Sequence, residues 1–172
     1  PTVSPDWRPD FIGIGVMKAA TSWIGRCLAE HPRITGPSRK ELDYFNRSHT
    51  YRKGFGHYQA QFAECFENLE PGTRIGEYSP HYMYDPHTAE RMARDVPGVK
   101  LFACLRDPVS RTYSQYRFEK QVRGRLRVYD TFREALENDP DLIARSRYGE
   151  QLERFQRFFD QVVAWSGKTG RR

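Results

Sequence analysis

One stretch near the N-terminus constrains the fold more than any other. Asp10-Phe11-Ile12-Gly13-Ile14-Gly15-Val16-Met17-Lys18-Ala19-Ala20-Thr21-Ser22-Trp23 reads as a short apolar strand, a small-residue turn holding one lysine, and a helix opened by hydroxyls. A strand that feeds a helix N-terminus through a tight turn leaves backbone N–H groups pointing outward, and the helix dipole favours negative charge there. Lys18 adds a formal charge, and Thr21 and Ser22 add donors. The spacing is not that of the ATPase phosphate loop, which needs glycine, four residues, then Gly-Lys-Ser/Thr. In this chain Lys18 precedes the small residues, and only two alanines separate it from Thr21.

The rest of the chain continues the alternation of strand and helix. Strands are expected at Phe11–Val16, Ile34–Pro37, Arg74–Glu77 and Val99–Leu105, the last being near-continuously apolar, as buried parallel strands are. Helical spacing is expected from Thr21 to Glu30, with Trp23, Ile24, Cys27 and Leu28 on one face and His31-Pro32 as the stop. It recurs at Tyr58, Phe62, Cys65 and Phe66, at Pro86–Val96, at Pro108–Glu119, and along Tyr148, Leu152, Phe155, Phe159 and Val162. Thr131-Phe132-Arg133-Glu134 is a capping-box pattern opening another short helix. Residues 46–57 are polar and read as a loop. This order predicts an α/β fold, a three-layer sandwich around a central parallel sheet with a phosphate-binding strand-loop-helix. Length predicts one domain over residues 1–172.

Charge is unevenly spread. Residues 1–110 carry 14 basic and 13 acidic side chains, whereas residues 111–172 carry 14 and 9. The basic half suits an anionic ligand, or is simply a solvated arginine surface. Arg123, Arg125 and Arg127 alternate with Gly124 and Leu126, which reads as a mobile loop rather than a nucleic-acid surface with aromatic platforms. No apolar run reaches the length of a membrane span, and no secretory leader is visible at Pro1. Cys27, Cys65 and Cys104 lie far apart and make no metal-type pair, so they read as buried reduced thiols suited to a cytoplasmic protein. No cluster has metal-ligand spacing.

Arg106 stands at the carboxyl end of the best strand, the side on which open α/β sheets bind ligands, and arginine offers a planar fork matched to phosphate. The Lys18 segment, together with Lys40-Glu41-Leu42-Asp43-Tyr44-Phe45, Gly76-Glu77-Tyr78-Ser79-Pro80-His81-Tyr82 and Leu105-Arg106-Asp107-Pro108-Val109-Ser110-Arg111-Thr112-Tyr113-Ser114-Gln115-Tyr116, resembles the sulfotransferases that use 3′-phosphoadenosine-5′-phosphosulfate (PAPS). The likeness is to their heparan-sulfate and bacterial branch, and it runs over about residues 9–160.

That resemblance implies sulfuryl transfer from PAPS, without a metal, to a hydroxyl or amine of a small-molecule or carbohydrate acceptor. It implies that Lys18, Ala19, Ala20, Thr21 and Ser22 cradle the 5′-phosphosulfate, and that Arg106 and Ser114 read the 3′-phosphate. Lys18 would neutralise charge on the leaving oxygen. Glu41 would be the base that takes the acceptor's proton. The family often has glycines at Ala19 and Ala20, a histidine at Asp43 and, in the heparan-sulfate enzymes, a lysine at Tyr78. Glu77 is expected to orient Lys18 or the acceptor, and His81 and Tyr82 to line the acceptor pocket. Arg111 and Arg117 read as surface charges. Residues 161–172 end in a glycine-rich basic run and read as a divergent, loosely attached tail, as if a further strand were missing. A non-catalytic nucleotide-binding remnant is the alternative. A nucleotide-dependent kinase is the weaker one, since the ATPase spacing and a strand aspartate for Mg²⁺ are lacking.

Overall fold

The computed structural model describes residues 3–67 and 69–166. Five strands, β1 (Phe11–Gly15), β2 (Ile34–Thr35), β3 (Arg74–Tyr78), β4 (Lys100–Leu105) and β5 (Val162–Ser166), form one sheet in the order β2-β3-β1-β4-β5. Every neighbouring pair is parallel. Parallel neighbours need long crossovers, and helices fill them. These are α1 (Thr21–Glu30), α2 (Ser48–Tyr51), α3 (Phe55–Gln59), α4 (Thr88–Asp95), α5 (Pro108–Gln121), α6 (Phe132–Asn138), α7 (Asp141–Ala144) and α8 (Tyr148–Gln156), with a 3-10 turn at Ala60–Phe66.

Strand β1 lies at the centre, and its alternation sets the layers. Ile12 and Ile14 are fully buried in a core with Phe45, Tyr58, Phe62, Met92, Leu101 and Phe155. Burying a side chain of that size contributes about 1.5–3 kcal/mol. Between them, Gly13 has no room for a side chain: a Cβ would sit 1.8 Å from Tyr78 Cδ2 and 2.6 Å from Phe102 Cζ. Those two rings stack with centroids 5.5 Å apart, and Ile24 and Cys104 complete the layer beneath α1. The sheet is thus covered on both faces, the three-layer arrangement expected. A third cluster, Tyr116, Leu126, Ala135 and Leu142, joins α5, α6 and α7.

Several expectations are corrected. The 46–57 stretch is not a plain loop; it contains α2 and the start of α3. Helix α1 buries a narrower stripe than expected, so Trp23 and Cys27 are exposed while Ile24 is buried. The last helix stops at Gln156, and Phe159 reaches the core from the following turn. Residues 162–166 are no loose tail. Val162-Val163-Ala164-Trp165 is a run of strand formers, and it pairs with β4 from Leu101↔Val162 to Leu105↔Ser166. The remainder of that stretch, 167–172, lies outside the described residues. Arg111 is the reverse of a surface charge, being 1% exposed. Its guanidinium donates to Gln115 Oε1 and Leu142 O, both at 2.7 Å, and to Ser146 and Thr112 hydroxyls. Burial lowers it to about 10. The Arg123–Arg127 segment is also packed: Leu126 is buried, and Arg125 pairs with Glu119 at 3.2 Å and Asp139 at 2.8 Å.

Candidate active site

The carboxyl ends of β1, β3 and β4 open onto a cavity of about 390 Å³. Its first wall is the turn that links β1 to α1. Val16 N–H donates back to Cys104 O at 2.9 Å, which ties the turn to β4. Lys18 and Ala20 then take left-handed backbone angles, φ 70° and 61°. Ala20 is the N-cap of α1, and it has no side-chain oxygen to accept from the first-turn amides. The N-terminus of α1 therefore keeps amide donors that no side chain caps, beside Thr21 and Ser22.

The second wall comes from β4 and α5. Asp107 caps α5 by accepting Ser110 N–H at 2.7 Å, with Pro108 at the helix start. Hydrogen bonding from Ser110, its side chain first and its amide second, holds the Asp107 carboxyl below its usual range. Arg106, just before the cap, pairs with neither Asp107 nor Glu119. Its Nη1 donates to Lys18 O at 3.2 Å, and its buried Nε has no partner. Ser114 faces the cavity from α5, and Phe118 lies one turn further on. The Lys18 ammonium sits 4.2 Å above the Phe118 ring. Burial, reinforced by Arg106 and Arg123 against Glu119, lowers the Lys18 pKa below the ordinary lysine value.

The third wall is Lys40-Glu41 and Pro80-His81. Glu41 also has a left-handed backbone, φ 57°, and its side chain is one-third exposed. Lys40 Nζ lies 3.9 Å from Glu41 Oε1 and 3.4 Å from Ser22 Oγ, so Glu41 and the start of α1 share one cation. Burial holds His81 below its usual pKa, Asp43 and Glu41 opposing and Arg145 and Arg123 reinforcing. The cavity therefore gathers Lys18, Lys40, Arg106 and Arg123 around a single carboxylate, Glu41. Such an arrangement attracts a multiply charged anion and leaves one base beside it. A second cavity of about 330 Å³ adjoins it through Ser22, Lys40 and Glu41, walled by Phe11, Leu28, Ile34 and Tyr78.

Of the residues singled out in the sequence, Lys18, Ala20, Thr21, Ser22, Glu41, His81, Arg106 and Ser114 come together around the first cavity. Ala19 does not: its methyl is buried, and its N–H donates to Val16 O at 3.2 Å. Tyr82 borders neither of these two cavities. It is fully buried, and its hydroxyl donates to Glu77 Oε1 at 2.8 Å. Glu77 lies away from the first cavity and lines the second, and its carboxylate accepts from three buried hydroxyls, those of Tyr58, Ser79 and Tyr82. Asp43 turns inward to Arg47. Sequence reasoning missed Lys40, Phe118 and Arg123 as cavity residues. Phe118 was legible, since it follows Ser114 by four positions on one helix face.

No family model matches the chain. It is 36% identical over 156 residues to the membrane-associated sulfotransferase kil1 of Dictyostelium discoideum, covering 89% of this chain and 32% of that protein. It is 27% identical over 162 residues to heparan sulfate glucosamine 3-O-sulfotransferase 5 of Mus musculus, covering 88% of this chain and 45% of that one. The chain thus spans less than half the length of either relative. A crystal structure of a sulfotransferase from Alicyclobacillus acidocaldarius superposes with a TM-score of 0.73 at 27% identity, over 93% of this chain and 73% of that one. The parallel sheet, the lysine turn between β1 and α1 and these likenesses agree: the chain is similar to sulfotransferases in both sequence and fold.

Proposed function

We propose that this chain moves a sulfuryl group from PAPS to a hydroxyl or amine of an acceptor. The observation that carries the reading is the cavity at the strand ends, where four cations and the uncapped start of α1 surround one carboxylate. PAPS supplies the activated sulfuryl group when it is bound. The α1 amides with Thr21 and Ser22 hold its 5′-phosphosulfate, and Lys18 steadies negative charge on the departing phosphate oxygen. Arg106, with its Nε free of other partners, and Ser114 hold the 3′-phosphate. Glu41 accepts the acceptor's proton as the new S–O or S–N bond forms and the bond to the phosphate oxygen breaks. His81 borders the acceptor side.

The acceptor is a carbohydrate on this reading, by likeness to the relative named for heparan sulfate glucosamine. Three unpaired cysteines suit a reducing compartment such as the cytoplasm. Among the described residues, no helix is long and apolar enough to cross a membrane.

The test compares 3′-phosphoadenosine-5′-phosphate (PAP) with ADP by thermal shift without magnesium. PAP is expected to stabilise the chain much more than ADP. Arg106→Ala is expected to weaken PAP by about 1.5–3 kcal/mol and to erase that preference. Because Arg106 also holds Lys18 O, a general loosening of the turn would weaken both ligands alike. Equal shifts for PAP and ADP in the unaltered chain would overturn the assignment.

A further inference from the structure

Glu77 is buried at the end of β3 and lies outside the charge constellation of the cavity. Its carboxylate receives Ser79 Oγ–H on Oε2 at 2.7 Å, and Tyr82 Oη–H and Tyr58 Oη–H on Oε1 at 2.8 and 3.1 Å. A hydroxyl has one proton. When Glu77 is ionised it can only accept, so that proton is committed to it and the oxygens of Ser79 and Tyr82 can act toward the rest of the protein only as acceptors. They accept from the loop that carries Glu41: Asp43 N–H reaches Ser79 Oγ at 3.2 Å, and Tyr44 N–H reaches Tyr82 Oη at 3.0 Å. Two consecutive amides of one loop are thus read by two hydroxyls whose direction a single carboxylate sets.

That loop needs holding. Glu41 and Asp43 both have left-handed φ, 57° and 51°, which costs about 1–2 kcal/mol for a residue with a Cβ. Leu42, Tyr44 and Phe45 are buried and fix how deep the loop sits. Burial has no direction, however, and the peptide planes that aim Glu41 at the cavity are fixed by the hydrogen bonds to Asp43 and Tyr44.

We propose that Glu77 is a positioning residue for Glu41, acting through Ser79 and Tyr82. This rests on the reading of Glu41 as the base. Glu77 touches no reacting atom. Its part is to hold the hydroxyls as acceptors, so that the left-handed turn presents the Glu41 carboxylate at the cavity.

The test is a set of double-mutant cycles on the full chain at about pH 8, where Glu77 is ionised, with ³⁵S-labelled PAPS as donor and completely desulfated heparan sulfate as acceptor probe. Glu77→Gln is the first variant. Tyr82→Phe is the second; it keeps the ring in the core and removes one line of the relay. Each is expected to lower kcat about tenfold while KM for PAPS and Kd for PAP stay within about twofold. PAP titration gives the fraction of folded sites in each preparation. In the Glu41→Ala background the same changes are expected to have no further effect, because their target is gone. A loss of equal size in both backgrounds, or no loss in the first, overturns the proposal. A fully active Glu41→Ala overturns the assignment of the base instead. Independently of turnover, amide hydrogen exchange is expected to speed up at least about tenfold at Asp43 in Glu77→Gln and at Tyr44 in Tyr82→Phe, while the β1 and β4 amides are unchanged. Unchanged exchange at both positions overturns the relay even if no acceptor is turned over.

Discussion

Replacing Glu77 by glutamine also has a consequence for stability that can be worked from the structure. The group is fully buried, and burial raises its pKa from 4.5 to about 7. Hydrogen bonds from Ser79, Tyr82 and Tyr58 work against that rise, and the Asp43 carboxylate adds to it. In the unfolded chain the carboxyl loses its proton near 4.5, while the folded protein keeps it to about 7. The unfolded state therefore binds fewer protons than the folded one through this window, and stability falls as pH rises. The stability from Glu77 is fully present below the unfolded value and is lost by the time pH passes the folded one. At about 1.4 kcal/mol per pH unit, the gap amounts to about 3 kcal/mol. Glutamine does not titrate and keeps one oxygen for the two tyrosine hydroxyls.

The assay is urea unfolding of the native chain and Glu77→Gln, from about pH 4 to about pH 8, taking the difference between the two at each pH. Subtraction removes the other titrating groups, Asp107 and His81 among them. The advantage of the native chain over Glu77→Gln is expected to shrink by about 3 kcal/mol across the window. A difference that stays flat, or that grows with pH, would mean that the carboxylate is held ionised by its three hydroxyls at no net cost. The account of its burial would then be refuted.

Two further outcomes are expected. Arg111→Met should destabilise the fold by about 2–4 kcal/mol, because it leaves the Gln115 amide oxygen buried without its donor and strips the Leu142 carbonyl of the nearer of its two donors, Thr112 Oγ1 remaining at 3.2 Å; chemical denaturation measures this, and a loss below about 1 kcal/mol would deny the network its role. Ala20→Gly should leave PAP affinity intact or better and raise stability by about 0.5 kcal/mol, since the left-handed cost of about 1 kcal/mol is relieved while the unfolded chain gains some freedom; weaker PAP binding would show that the methyl shapes the turn.

What was legible in the sequence follows from how local each signal was. The α1 boundaries, Thr21–Glu30, came from a turn of small residues on one side and His31-Pro32 on the other, both contiguous in the chain. Strand β4 announced itself as an apolar run, and α5 through its Asp-Pro start. The short α2 and α3 helices were not legible, because four or five residues are too few to show a period. Strand β5 was overlooked because the charges and glycines after it dominate the composition of the segment, although Val162-Val163-Ala164-Trp165 carried the signal. Arg111 defeated the rule that arginine is exposed. Its compensating partners Leu142 and Ser146 come from more than 30 positions away, and only the fold brings them to it. The same holds within the site. Lys18, Glu41, Arg106 and Ser114 were visible as chemistry, whereas Tyr82 looked like a pocket residue because its partner hydroxyls and amides are set by the packing of β3 against the 41–45 loop.

Backbone strain in this protein is concentrated at one place. Among the described residues, the non-glycine positions with positive φ are Lys18, Ala20, Glu41 and Asp43. The first three line the cavity, and the fourth lies two residues from Glu41. Each costs about 1–3 kcal/mol and persists only where neighbours over-determine it. The neighbours differ for the two loops, but they follow one plan. The turn after β1 is held from β4, through Val16 N–H on Cys104 O and the Arg106 guanidinium on Lys18 O. The Glu41 loop is held from β3, through Ser79 and Tyr82. Strands β3 and β4 flank β1 on its two sides. Each therefore clamps one strained loop, and the hydrogen-bonded ladder across β3, β1 and β4 fixes the distance between them. The backbones that carry Lys18 and Glu41, proposed for the leaving oxygen and the incoming nucleophile, are thus registered to one another through the sheet, so that loosening either clamp is expected to displace one proposed catalytic group relative to the other.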